Sequence, residues 1–572
     1  MGGETESGPD SRARDRGSDQ QLTTDTDILI VGAGPTGLSL GAVLGSFGVR
    51  ARIIDRALDR AHESRALGVQ ARTLELLQSL GLGDALVARG NSSAHVMLHV
   101  EGRVAVEAEL GTFARADTKY PFVLFVSQAE TERLLGEHLA SHGVTIERGI
   151  ELVDFTPNAD GVDCTLQHGD GRAQVVRARY LVGCDGAHST VRKGAGIAFE
   201  GDAYLQDFLL GDVEADASGE VSLAANMLHP FVGRHAIAVF FPLGQPATWR
   251  IIAMSAAGAK AMRTSAGAPD KPLTSELSLA ELQATVDGAT GGGVRLRDPV
   301  WLAHFHLHHR QATHYQRGRI FLAGDAGHIH SPVGAQGMNT GIQDAWNLGW
   351  KLALVVRGLA APELLDSYEA ERWPVGQTLL RFTDRAFSVL VRSLSGSALG
   401  SWLRRTVAAT VIPVVLSSTR LRTRAFRFIS ELGIRYRRSP VVAEAAPPLR
   451  AGPRAGDRFP DACLTLDGNG IRLQEAVVGS CLTLVLCGDG EPWDTERLSG
   501  HPACRNGLLR IKRLTRRSEH GALVDERGEA FARLGVDDAA QYLVRPDGYV
   551  GFRCAGRSFD ALERYLAEWY AT

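Results

Sequence analysis

Asp27-Ile28-Leu29-Ile30-Val31-Gly32-Ala33-Gly34-Pro35-Thr36-Gly37 opens the folded part of the chain. Its first half is a continuous apolar run, the pattern of a strand buried on both faces of a parallel sheet. Its second half is a G-x-G-x-x-G turn. Leu38, Leu40, Val43, Leu44 and Phe47 then recur at helical spacing, and a second strand, Val49 to Ile54, ends at Asp55. Strand, glycine turn, helix, strand and acid, in that order, specify a dinucleotide-binding unit. Gly32 permits the tight turn, Gly34 admits a pyrophosphate, and Gly37 lets helix and strand pack closely. Pro35 and Thr36 sit at the helix start, whose free N–H groups favour phosphate. Asp55 is placed to accept from a ribose hydroxyl.

Two further segments repeat the strand-into-glycine-turn pattern. Tyr180-Leu181-Val182-Gly183 runs into Cys184-Asp185-Gly186, with Ser189 as a helix N-cap. Arg319-Ile320-Phe321-Leu322-Ala323 runs into Gly324-Asp325-Ala326, followed by Pro332, Gly337, Met338 and Asn339 and a long helical pattern from near Ile342. A carboxylate at a strand end beside a glycine-rich helix start suits ribityl hydroxyls. The helix start suits the electron-rich edge of a flavin, so FAD is favoured over NAD as the resident dinucleotide.

In their order and wording the three motifs resemble the group A flavoprotein monooxygenases, the para-hydroxybenzoate hydroxylase family, and most of all its phenol and polyketide hydroxylase branch. Ser64-Arg65-Ala66-Leu67-Gly68-Val69-Gln70-Ala71-Arg72-Thr73 and Gly318 to Asp325 carry the likeness most closely. The resemblance implies an α/β fold: an FAD-binding Rossmann-type domain with an interleaved β-sheet substrate domain and a C-terminal thioredoxin-like domain. It implies tightly held FAD, NAD(P)H as transient reductant, O2 as co-substrate, and hydroxylation of a phenolic or polycyclic aromatic substrate through a flavin hydroperoxide. It places Asp55 and Arg56 at the adenosine ribose, Arg65 and Gln128 at the phosphate and ribityl region, and Asp185 where FAD and nicotinamide meet. Gly324 and Asp325 fall at the ribityl chain, and Gly337 to Asn339 at the ring. Two positions depart from the family pattern: Asp55 replaces a common Glu, and Ala335 a common Gly. Baeyer–Villiger insertion, epoxidation and a non-catalytic FAD-binding redox sensor are the alternatives; the halogenase motif Trp-x-Trp-x-Ile-Pro is absent from the sequence.

The expected domains are a disordered tail over 1–24, an FAD-binding domain from 25–98, 127–198 and 315–395, and a substrate sheet from 99–126 and 199–314. A helical segment and linker over 396–449 and a thioredoxin-like domain over 450–572 complete the chain. Met227, Phe240 and Trp249 are candidate pocket walls, and no catalytic base stands out. His304, His306 and His308 share a strand face, but roughly 7 Å of spacing at i, i+2 argues against one metal ion, and no metal is expected. Cys481 and Cys487 flank a strand without the CxxC spacing of a redox pair. The apolar run Val407 to Leu416 is too short for a bilayer span and reads as a buried helix pair, and Arg420, Arg422, Arg424 and Arg427 as a solvated helix face.

Over 572 residues, 62 Lys plus Arg oppose 65 Asp plus Glu, a formal net charge of -3. That balance argues against nucleic acid or an anionic membrane as partner. Seven scattered Cys make no disulfide scaffold. The expectation is a cytoplasmic enzyme, monomer or homodimer.

Overall fold

The computed structural model describes residues 25–570 apart from 61–66, 94, 110–116, 220, 235, 245, 256–276, 330–335, 394–401, 403–405, 407–417 and 491. The side chains of 93, 203–207, 305–308, 384 and 386–393 are likewise outside the description. The expected tail, Arg65, Pro332, Ala335 and the apolar run Val407 to Leu416 therefore lie outside the described residues.

The chain begins with β1 (Thr26–Val31), α1 (Pro35–Ser46) and β2 (Ala51–Asp55), and α2 (Ala71–Gln78) follows. The next long strand of this sheet is β3 (Ala173–Gly183). β1 pairs in parallel with both β2 and β3, as a strand apolar on both faces must to bury itself. An antiparallel meander, Ile150–Pro157 and Val162–His168, leads into β3.

The chain then leaves for a second sheet of eight strands. Its main members are β4 (Phe199–Ala217), β5 (Ala236–Pro242), β6 (Trp249–Ser255) and, after helix α3 (Leu279–Thr290), β7 (Val294–Ala312). Their antiparallel order is β7-β4-β6-β5. Alternation sends one set of side chains toward α3, whose Leu282, Val286 and Ala289 cluster with Leu209, Phe231, Phe240, Trp249 and Ile251. Gly211 is small because a Cβ there would lie 2.7 Å from Leu282. The strand His95–Val100 also belongs to this sheet, paired with His229–Val232. The crossing between domains thus falls before His95 and not at residue 99, because the alternating His95–Val100 segment pairs with the second sheet. Val123–Phe125 instead pairs with Gly68–Val69 and Asn91–Ser93 in a small separate sheet.

Returning, β8 (Ile320–Leu322) pairs in parallel with β3, and two long helices follow, α4 (Gly337–Val356) and α5 (Asp366–Ser393). Helix α6 (Thr419–Ile429) buries Phe426 and leaves Arg420 and Arg424 exposed. The C-terminal domain is a third eight-stranded mixed sheet, centred on β9 (Leu482–Cys487), β10 (Ala540–Val544) and β11 (Val550–Ala555). β10 and β11 form the hairpin expected around Pro546-Asp547-Gly548. Among the described residues, no helix is long and apolar enough to cross a membrane.

Candidate active site

The site begins with sheet register. Val31 pairs with Gly183, and Gly183 with Leu322. The three glycine motifs, each well over a hundred residues from the next in sequence, therefore start side by side at the carboxyl ends of β1, β3 and β8. That is the edge where open α/β sheets bind their ligands.

The glycines of the first turn divide by their surroundings. Gly32 has φ +104, and a Cβ there would lie 2.3 Å from the Cys184 carbonyl oxygen; at Gly37 it would lie 1.9 Å from that of Gly32. Among the described residues, nothing lies within 4 Å of a Cβ at Gly34, so that face is open where a pyrophosphate would approach. Gly337, the first residue of α4, is equally open among the described residues. Gly324 and Gly341 each bring a hypothetical Cβ to 2.5 Å from Thr36 Oγ1. Thr36 is thus the point where the first and third motifs lock together. Exposed Asp325 sits in the turn beyond this junction, at the end of β8. This cradle, closed by glycines on the protein side and open on the other, fits FAD.

Most of the acidic groups have defined work. Asp55 accepts from the Ala33 N–H at 2.7 Å and the Ala57 N–H at 2.8 Å, so it fixes the first turn as well as offering its remaining lone pairs to a ribose. Arg56 beside it is exposed. Asp185 accepts from the Ser189 hydroxyl at 2.5 Å and from the N–H groups of Thr190 and Val191 at 2.7 and 3.1 Å. Burial raises its pKa against those bonds. Gln128, first residue of the Gln128–Ser141 helix, donates to Glu132 at 2.8 Å.

The start of α4 is held in place by Asn339, expected from sequence at the flavin ring, and by Asp344 and Arg372, which were not singled out. The Asn339 side chain accepts from the Gln70 N–H and donates to the Gly68 carbonyl, each at 2.8 Å. Its side chain, and not only its backbone, therefore ties α4 to the segment just before α2. Met338 is partly buried against the core. Asp344, fully buried, accepts from the Gly324 N–H at 3.0 Å, from His328 at 2.6 Å and from Arg372 at 2.6 Å. Burial raises its pKa, but Arg372 and His328 bring it down to about 2. The Gly324 backbone is thereby anchored to a permanent carboxylate. Asp344 lies on an apolar helix, and an acid within such a run was the available signal.

The substrate sheet requires a correction. Phe240 and Trp249 are fully buried against α3, on the face away from the FAD-binding domain, and so are core residues. Met227 is buried in the turn before His229–Val232, its N–H bonded to Ala224. The opposite face carries a registered row, Phe241, Arg250, Asp212 and Trp301, across four strands. Phe241 packs against Phe125 with ring centroids 5.7 Å apart, which turns this face toward the FAD-binding domain. Arg250 and Asp212 form a buried bidentate pair at 2.6 Å, with the guanidinium 5.8 Å from the Trp301 ring. Val239, Phe241, Ile252 and Trp301 on this face stay partly accessible.

His304 lies 3.7 Å from Glu281, while the side chains of His306 and His308 lie outside the description. Among the described residues, no group of three His, Cys, Asp or Glu is arranged to hold a metal. Cys487 is buried, which pushes its thiol far up, and Cys463 is exposed.

Residues 25–383 match a family model described as FAD binding domain, and residues 452–572 one described as aromatic-ring hydroxylase, C-terminal. The 6-methylpretetramide 4-monooxygenase of Streptomyces rimosus is 38% identical over 91% of this chain and 90% of its own length. The pentachlorophenol 4-monooxygenase of Sphingobium chlorophenolicum is 32% identical over 93% and 94%. The solved structure of the anhydrotetracycline hydroxylase from Streptomyces rimosus superposes with a TM-score of 0.72 at 30% identity, covering 96% of this chain and 99% of that one. With the in-register motif ends and the open glycine cradle, these likenesses show that the chain belongs to the FAD-binding family of aromatic-ring monooxygenases.

Proposed function

We propose that this protein hydroxylates a phenolic, polycyclic aromatic substrate of the polyketide or antibiotic type, using O2 and NAD(P)H. The observation that carries the reading is the convergence of three motif-bearing strand ends on one open edge, facing a sheet whose partly accessible side chains Val239, Phe241, Ile252 and Trp301 are apolar or aromatic. When bound, FAD supplies the two-electron exchange with NAD(P)H and the activation of O2. The chain's own residues do the rest. Gly34 and the α1 N-terminus receive phosphates, Asp325 the ribityl hydroxyls, and the first turn of α4 the ring. Val239, Phe241, Ile252 and Trp301 form a dry wall suited to a flat aromatic skeleton. The pair Asp212–Arg250 pins the strands that carry this wall.

The relatives matched over nine-tenths of their length include enzymes named for tetracyclic and for chlorinated phenolic compounds, which supports hydroxylation of an aromatic ring. The test is turnover under 18O2 with NADPH or NADH and a panel of tetracyclic phenols, read by mass spectrometry. One labelled oxygen in an aromatic hydroxyl is expected. NAD(P)H oxidation that yields only peroxide across the panel, or a label that enters as a ring-expanding ester oxygen, contradicts the reading.

A further inference from the structure

Between α5 and α6 lies a cavity of ≈ 560 Å³, a volume in the range of small-molecule sites. Its floor is apolar, with Pro374, Val375 and Leu379 from α5 and Phe428 and Ile434 opposite. Its rim is basic: Arg424, Arg427, Arg435, Arg437 and Arg438. Their neutralisation is incomplete. Asp457 is shared by Arg437 at 2.7 Å and Arg435 at 3.7 Å. Asp117 is shared by Arg427 at 3.4 Å and Arg458 at 3.1 Å. Arg424 and Arg438 are exposed and have no carboxylate in ion-pair reach among the described residues. Of the two lining acids, Glu371 is already held by Arg545 at 2.6 Å and Lys351 at 2.9 Å, and Glu431 is bonded to Thr340 and Gln343. Phe428 also packs against Phe382 with ring centroids 4.2 Å apart and planes tilted by 55°, and the Phe382 side chain is left 43% exposed.

The position matters as much as the charge. Gln336, the residue before α4, donates to the Phe428 carbonyl at 3.3 Å. The cavity therefore shares a wall with the turn assigned to the flavin ring. The sequence has one G-x-G-x-x-G turn, and the first domain uses it. A second dinucleotide must then be held by side chains, and guanidinium groups bind phosphate bidentately without a glycine loop. The exposed Phe382 ring beside them offers an aromatic surface for a base.

We propose that the arginine-rimmed cavity between α5 and α6 docks the phosphates of the NAD(P)H reductant, with Arg424 and Arg438 as principal contacts. The assignment rests on the monooxygenase reading above, so its test is a binding measurement that needs no turnover. FAD-loaded protein is titrated calorimetrically with adenosine 2′,5′-bisphosphate, and the dissociation constant for NADPH and NADH is taken from stopped-flow flavin reduction. The double variant Arg424→Ala/Arg438→Ala is expected to weaken both by tenfold or more, with flavin content and melting temperature kept, since both side chains are exposed. Arg424→Glu/Arg438→Glu is expected to weaken them further, and rising salt to weaken the wild type most. Unchanged nucleotide affinity in the double variants overturns the proposal, as does loss of aromatic-substrate affinity with nucleotide binding intact. If 18O2 labelling fails while nucleotide binding is lost in the variants, the reaction assignment falls and the site stands. If labelled product forms while the variants bind nucleotide normally, the site alone falls.

Discussion

A Cβ placed on Gly37 would lie 1.9 Å from the Gly32 carbonyl oxygen, whereas on Gly34 it would meet nothing within 4 Å among the described residues. The two glycines of one motif therefore respond differently to substitution. Gly37→Ala is expected to cost the apoprotein about 1–3 kcal/mol, as an overpacked contact does. Gly34→Val is expected to leave apoprotein stability within about 0.5 kcal/mol and to weaken FAD binding by tenfold or more. Thermal melts of flavin-free protein and flavin titration separate the two effects; equal loss of stability at both positions would contradict the assignment. The glycine roles were legible in sequence because spacing alone dictates them. The role of Thr36 was not, since its contacts at Gly324 and Gly341 exist only once two distant segments fold together. Phe240 and Trp249 show a related limit. Alternation says that Phe240 and Phe241 face opposite ways, but which face α3 covers is a tertiary fact.

Among the elements, the start of α4 carries the densest constraint. Glu431, with φ +60, is buried against it, and burial pushes its carboxyl up to about 8. Thr340 has one hydroxyl hydrogen and two acceptors in reach, the Gln336 carbonyl at 2.9 Å and Glu431 Oε1 at 3.1 Å. A protonated Glu431 that donates to Thr340 resolves that competition. Because the folded pKa lies above the unfolded one, the native state binds more protons between about pH 4.5 and 8. Stability must then fall as pH rises through that window. Asp344 has the opposite sign: depressed to about 2, it contributes stability that is present above the unfolded value of 3.8 and is lost as pH falls toward 2. Glu431→Gln is expected to flatten the neutral slope and to stabilise the protein at pH 8 by about 1–2 kcal/mol, measured by denaturant titration at pH 5 and pH 8. An unchanged slope would contradict a protonated Glu431. The strands and α4 were readable from apolar runs and glycine turns. The expected boundary at residue 99 cuts through the strand His95–Val100, because alternation marks a strand without naming its partner.

Across the whole molecule, the C-terminal domain is bound to the flavin-binding half by buried charge. Arg545 of the hairpin donates to Glu371 of α5 at 2.6 and 2.8 Å, and to Asp547 at 2.6 Å. Lys351 of α4 reaches the same Glu371 at 2.9 Å. Arg72 of α2 donates to the Asp547 carbonyl, and its guanidinium lies 5.0 Å from the Tyr549 ring. Burial lowers the Lys351 pKa to about 8, and burial would raise Glu371, but Arg545 and Lys351 hold it well below the usual carboxylate range. Removing one member of such a set leaves an uncompensated charge and costs about 3–5 kcal/mol. Arg545→Met is therefore expected to lower the melting temperature and release FAD in the same transition, although the residue lies outside the flavin-binding domain. Two separate transitions, with flavin retained through the first, would contradict the coupling. A hairpin at Pro546-Asp547-Gly548 was legible from the sequence; its insertion between α2, α4 and α5 was not, because ion pairs across hundreds of residues leave no local pattern.

The central claim is that the ends of β1, β3 and β8, brought into register by Val31, Gly183 and Leu322, form one FAD site. Flavin content of the purified full chain tests it most directly, by visible absorbance and by titration of stripped protein with FAD, for the wild type and Asp325→Ala. The account predicts a yellow protein that binds FAD in a one-to-one ratio and loses affinity in the variant. A colourless chain that takes up no added FAD under native conditions would contradict it.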